Sequence, residues 1–254
     1  MAPVLVQRRL ARPKPGVAPH VYAGSAAYFN GLSSRQAVVS SATLNIGVNG
    51  FTIAVWVQLG SVPTTGAVVE HYGTANGWSM YHSEPNHLST LYLVNAVGQS
   101  NNTQAIAVTG TDWHLWMGDW DGANNGTGTW AIDNGTQYST TSIGVLSPLL
   151  VPFTVCGKGF NGGTSGTQFN AAVDSLGYWN RVLSNTERGY LWNGGLGLAY
   201  YDLVNSYPSL LSGLCNWYDC DDQGGQDLVD ASGAGLTLLG QNGTSTYTSV
   251  PGVR

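Results

Sequence analysis

The run Trp113-His-Leu-Trp-Met-Gly-Asp-Trp-Asp-Gly122 is followed closely by Trp130-Ala-Ile-Asp-Asn-Gly135. Val173-Asp-Ser-Leu-Gly-Tyr-Trp-Asn-Arg-Val-Leu-Ser-Asn-Thr-Glu187 comes later. In this order the three pieces read as consecutive strands of an antiparallel sandwich closed by one short helix. None has the arrangement of a catalytic site, so they speak to architecture before ligand.

Composition points the same way. Thirty-five glycines in 254 residues, with abundant Thr, Ser and Asn and no long helix-forming tract, call for many short strands joined by turns. Charged residues are only 9% of the chain, against about a quarter in ordinary soluble domains. Such a surface suits subunit contacts or sugar-rich surroundings, because few charges need desolvating when a neighbour packs.

Charge is unevenly placed. Arg8, Arg9, Arg12 and Lys14 make the first fourteen residues a basic arm, while the remainder carries five basic and fourteen acidic side chains. Pro3, Pro13, Pro15 and Pro19 keep the arm extended, since proline fixes φ and disfavours helix in the residue before it. Opposite signs favour docking of the arm on a body, its own or a neighbour's. Without interleaved aromatic residues the arm is a poor nucleic-acid ligand. The start lacks the roughly 7 to 15 apolar residues of a secretory signal, and no run approaches the ~20 needed to cross a bilayer. A cytoplasmically made protein carried on a particle surface is the expectation, with an extracellular location as the alternative. Cys156, Cys215 and Cys220 are too few for a disulfide scaffold and read as small buried thiols.

Phe51-Thr-Ile-Ala-Val-Trp-Val-Gln-Leu59 alternates a fully apolar face with a partly apolar one, as a central sandwich strand should. Ala67 to Tyr72 and Trp78 to His82 form a hairpin around Gly73-Thr-Ala-Asn-Gly77. A symmetric turn puts Glu70, Met80 and His82 on one face and His71 and Tyr81 on the other, which separates the two histidines and leaves at most a Glu70–His82 contact for a metal. The loop Asp121-Gly-Ala-Asn-Asn-Gly-Thr-Gly128 sits where sandwich loops contact ligands. Ser184-Asn-Thr-Glu187 matches a capping box, and the helix it starts stops near Gly194-Gly195.

These residues, with Tyr28-Phe-Asn-Gly31 and Leu191-Trp-Asn-Gly194, resemble the laminin-G-like, concanavalin A-like jelly-roll superfamily of lectins, glucanases and bacterial or phage surface proteins. The resemblance implies an all-β fold: two antiparallel sheets packed face to face, with one short helix after the last core strand. The domain expectation is an arm at 1–22, a jelly roll at 23–197 and an extension at 198–254. A strand of the extension completes the same sandwich or pairs with a neighbouring subunit. Asp219, Asp221, Asp222 and Asp227 surround Gly224-Gly225 and are the calcium candidates; the resemblance favours an ordinary acidic turn, and no other cofactor is expected.

The superfamily's hydrolases carry Glu-x-Asp-x-x-Glu on one strand, and this chain has only Glu70, Glu84 and Glu187. A retaining glycosidase needs two carboxylates about 5 Å apart, so a non-enzymatic protein is expected. The first reading is a structural or adhesive surface protein: a virion decoration or fibre protein whose partners are copies of itself, other particle subunits, or glycans. The alternative is a lectin-type carbohydrate-binding module, and glycoside hydrolase is the third. Glycan-binding candidates are Trp78, Tyr81, Trp120, Asp121, Asn124 and Asn125; the assembly arm is Arg8, Arg9, Arg12 and Lys14.

Overall fold

Phe51, Ile53, Val55, Val57 and Leu59 lie in one buried apolar cluster, and Ala54 and Trp56 in another. A strand whose alternate side chains enter two cores must be covered on both faces, and the rest of the fold follows from that. The computed structural model describes residues 25–31, 35–38, 50–60, 65–73, 76–84, 86–95, 100–122, 126–144, 146, 153–156, 169–220, 227–241 and 250–251. The basic arm with Arg8, Arg9, Arg12 and Lys14, together with Asn124, Asn125, Asp221 and Asp222, lies outside them.

Two antiparallel sheets face each other. The first runs, in spatial order, β11 (Tyr138–Ser139), β10 (Gly128–Ile132), β9 (Trp113–Trp120), β3 (Phe51–Leu59), β13 (Asn170–Trp179), β1 (Ser25–Asn30) and β16 (Val250–Pro251). The second runs β15 (Leu239–Gln241), β2 (Arg35–Val38), β12 (Phe153–Val155), β4 (Gly66–Gly73), β5 (Asn76–Ser83), β6 (Leu88–Val94) and β7 (Ser100–Asn102), with β8 (Ile106–Ala107) also beside β6. Phe51 and Tyr178 from the first sheet stack on Trp78 from the second at 5.1 and 6.1 Å between ring centroids, and Phe153 meets Trp78 edge-on at 5.9 Å. These rings lock the two layers together. Among the described residues the indole N–H groups of Trp78, Trp116, Trp120 and Trp130 find no acceptor, so these side chains serve as buried volume.

The outer face of the first sheet is covered as well. α1 (Asn185–Trp192) and α2 (Tyr200–Ser206) pack there through Leu191 and Leu203 against Trp56, Leu115, Met117 and Trp217. Here the tryptophans use their N–H groups: Trp179 donates to the Leu210 carbonyl and Trp217 to Asp219, at 2.7 and 2.8 Å. α1 begins at the expected capping box, with Ser184 and Glu187 each satisfying the other's backbone N–H. Arg181 grips the same carboxylate with two parallel hydrogen bonds of 2.9 and 2.7 Å. That fork, with the Ser184 contacts, holds the Glu187 carboxyl down at about 2. Inside the helix, Arg188 pairs with Asp119 of β9, and both are almost wholly buried. Desolvation pulls the guanidinium down to about 10, still charged at neutral pH.

Described residues of the extension beyond residue 198 pack with this body. β14 (Leu214–Tyr218) hydrogen-bonds to the Leu176–Trp179 half of β13, on the edge whose other half, Asn170–Val173, pairs with β1. The extension also holds α2, a second helix beyond the one read from sequence; the Asp202 carboxylate caps it by accepting from the Ala199 N–H at 2.9 Å. Asp219 accepts from Tyr200 N and Trp217 Nε1, and Asp227 from Gly240 N. These two carboxylates brace the extension. All three cysteines are buried free thiols.

Candidate functional site

The β4–β5 hairpin decides which side chains face outward. Gly73 pairs with Asn76, Tyr72 with Gly77 and His71 with Trp78, so the connection is the two residues 74–75 rather than a symmetric five-residue loop. Relative to the symmetric expectation the register slips by one, and a slip of one exchanges the faces. Glu70 therefore stands opposite Ser79 on the outer face with Tyr81, while His71 joins Trp78, Met80 and His82 on the inner face. The expectation that His71 and His82 lie on opposite faces is corrected by this register.

Two glycan candidates are corrected too. Trp78 and Trp120 are fully buried between the sheets and present no ring to a ligand. Tyr81 does face outward, and its partners there were not recognised from sequence. Tyr72, Tyr81 and Tyr92 line a cleft of about 540 Å³ on the outer face of β4–β7, with Leu88 and Ala105 as apolar wall and Ser83, Thr90 and Asn102 as polar groups. Register explains the grouping: Tyr81 is opposite Thr90, Ser83 opposite Leu88, and Tyr92 opposite Asn102. The rings of Tyr72 and Tyr92 lie 5.9 Å apart, tilted by 47°. Burial raises the Tyr72 and Tyr81 hydroxyls above their usual value, with Tyr92 adding to the rise at Tyr72, so both stay neutral hydrogen-bonding groups. The tyrosines were legible only with the true hairpin register, which brings Tyr72, Tyr81 and Tyr92 to one face.

Asp121 behaves differently. Its Oδ1 accepts from the Thr127 N–H at 2.7 Å, and its own N–H donates to the Thr127 carbonyl, so it closes its own loop. It also borders a smaller cavity of about 170 Å³ that reaches Asp119, Gln137 and Arg188.

At the β5–β6 turn three further polar side chains meet. The Glu84 Oε1 lies 2.8 Å from His82 Nε2 and 3.0 Å from His87 Nδ1, and His82 Nδ1 lies 2.9 Å from Ser89 Oγ. Burial lowers the His82 pKa despite the carboxylate beside it. Burial alone would raise Glu84, but hydrogen bonds from both imidazoles bring it below its ordinary value.

A family model described as the concanavalin A-like lectin/glucanases superfamily matches residues 32–187. The chain belongs to that superfamily. Among solved structures, this lectin/glucanase chain is similar to a protein from Bacteroides ovatus ATCC 8483 provisionally described as carbohydrate binding (TM-score 0.61, 13% identity, 90% of this chain and 60% of that one). It is also similar to the binding domain of Paraclostridial Mosquitocidal Protein 1 (TM-score 0.50, 14% identity, 63% of this chain and 41% of that one). At such identities the likeness is one of fold. The chain spans about 41% and 60% of the length of these two proteins. A search of curated proteins returned no match. Among the described residues no helix is long and apolar enough to cross a membrane.

Proposed function

We propose that this chain is a non-catalytic, lectin-type carbohydrate-binding module whose sugar site is the tyrosine cleft on the outer face of β4–β7. The single observation that carries this reading is the convergence of Tyr72, Tyr81 and Tyr92 with Ser83, Thr90 and Asn102 on one cleft. Pyranose rings present apolar C–H faces and a rim of hydroxyls. Aromatic rings cover the former, and neutral hydroxyl and amide groups match the latter. The volume falls within the roughly 300–1,000 Å³ of small-molecule sites. The carbohydrate-binding description of the Bacteroides ovatus protein, which shares the fold, supports the same class.

Binding rather than hydrolysis is favoured because the described residues that line the cleft include no carboxylate, whereas glycosidases set two carboxylates across the scissile bond. Glu187, a cap locked to Arg181, is committed elsewhere. The lectin-type reading takes precedence over a virion decoration or fibre protein. The particle reading leaned on the basic arm, which lies outside the described residues.

The test is a glycan array followed by calorimetry with the best ligand, on the whole chain and on Tyr81→Ala, Tyr92→Ala and Asp121→Ala. Affinity should fall by about tenfold or more, equivalent to ~1.4 kcal/mol, in each tyrosine variant and stay unchanged in Asp121→Ala. Absence of any glycan ligand, or equal affinity in all four proteins, overturns the reading. Loss confined to Asp121→Ala moves the site to the loop.

A further inference from the structure

We infer that His82, Glu84 and His87 form a binding site for a divalent transition-metal ion of the zinc class, separate from the tyrosine cleft and independent of its reading. The three side chains come from one short stretch, His82-Ser-Glu-Pro-Asn-His87, in which β5 ends, the chain turns and β6 begins. Strand pairing of Ser83 with Leu88 folds the stretch back, so that one donor atom from each residue lies within 4.8 Å of the other two. Four-coordinate zinc holds its nitrogen and oxygen ligands at about 2.0–2.2 Å, which puts tetrahedral ligand atoms roughly 3.3–3.6 Å apart. The observed 2.8 and 3.0 Å separations to Glu84 would open by roughly 0.3–0.8 Å, and the two imidazole nitrogens already lie within 4.8 Å of each other.

The donor chemistry selects the ion. Two neutral imidazoles and one carboxylate suit zinc and its neighbours, whereas calcium takes six to eight oxygen ligands and is poorly matched here. Three protein donors leave a fourth position for water or another ligand.

The site is also prepared. The His82 ring is buried against Trp116 and Phe169, with centroids at 6.3 and 5.8 Å, and Ser89 holds its Nδ1. When Nε2 is given to a metal, Nδ1–H donates to the Ser89 hydroxyl, the outer-sphere bond that fixes the tautomer of a ligating histidine. The Glu84 backbone is clasped by Thr65, whose hydroxyl accepts from the Glu84 N–H at 2.8 Å and donates to the Glu84 carbonyl at 3.0 Å. His87 sits at φ 53°, a left-handed conformation uncommon outside glycine, and its carbonyl accepts from Val108 N at 2.8 Å. The backbone tie to Val108 thus holds His87 where its Nδ1 meets the Glu84 carboxylate.

The test is titration of ZnCl₂ into the metal-stripped whole chain by calorimetry, with His87→Gly, Glu84→Gln and, as a control at one of the three histidines not in the triad, His20→Ala. His87→Gly is the decisive variant because glycine accepts the left-handed backbone and removes only the ligand. One zinc per chain is expected, with affinity unchanged in His20→Ala and weakened by about tenfold or more in the other two. A zinc-edge anomalous peak should bridge His82 Nε2, Glu84 Oε1 and His87 Nδ1. No zinc binding, or affinity unmoved by His87→Gly, or loss only in His20→Ala, overturns the inference.

Discussion

Replacing Glu187 by Gln keeps the side chain's shape and removes its charge, and the structure says what that should cost. The carboxylate accepts two hydrogen bonds from Arg181 and two from Ser184, all between 2.7 and 2.9 Å. Together they hold its pKa at about 2 instead of 4.5. At ~1.36 kcal/mol per pH unit that displacement corresponds to roughly 3 kcal/mol. Water still reaches Arg181, so screening reduces the expected loss at neutral pH to about 2 kcal/mol. In a chain of this length that lowers the melting temperature by about 4–8 °C. The pH dependence has a definite sign. The folded-state pKa is depressed, so the contribution is complete above about 4.5 and disappears as pH falls towards about 2. Urea unfolding of wild type and Glu187→Gln between neutral and acid pH measures both quantities. A difference under about 0.5 kcal/mol at pH 7, or one that persists unchanged at the acid end, would refute the reasoning.

Three further outcomes are expected. Arg188→Met strands the buried Asp119 carboxylate and should cost about 3–5 kcal/mol, whereas Asp119→Leu/Arg188→Met should recover most of it; chemical denaturation of both variants gives the comparison. Gly50→Ala should destabilise by at least about 2 kcal/mol in the same assay, because Gly50 has φ 84° and an added Cβ would meet the Trp120 carbonyl oxygen at 2.2 Å. His82 and His114 should act oppositely in a pH series. Burial lowers the His82 pKa, so its contribution falls as pH drops below about 6.5. The hydrogen bond to Asp133 raises that of His114, so its contribution is present below about 6.5 and lost as pH rises through the folded value. Urea midpoints of wild type and His114→Gln across roughly pH 5–8 should differ most at the acid end.

The sandwich was legible because its strands carry their own periodicity. Phe51–Leu59 shows which residues alternate, and the two cores receive those two sets. The capping box was legible because it is local chemistry. The site was less so. Aromatic residues chosen for ring size included Trp78 and Trp120, which fill the space between the sheets, because a tryptophan's destination depends on face and not on type. Face in turn depended on whether the hairpin spends two residues or five, a difference no single-strand pattern contains. Tyr81 was named from the sequence and lines the cleft; its neighbours there, Tyr72 and Tyr92, required the register. His82 and His87 come together through the β5–β6 turn, where Ser83 pairs with Leu88, a juxtaposition that the alternation of either strand alone does not contain.

β1 and β16 lie side by side, with Ser25 opposite Pro251 and Ala26 opposite Val250. The first and last described strands thus share a single seam. A protein engineer could splice this body as a cassette into a surface loop of a host protein, entering and leaving through one doorway. The same adjacency permits circular permutation: a short linker across the seam would free new ends to be cut at a distant turn.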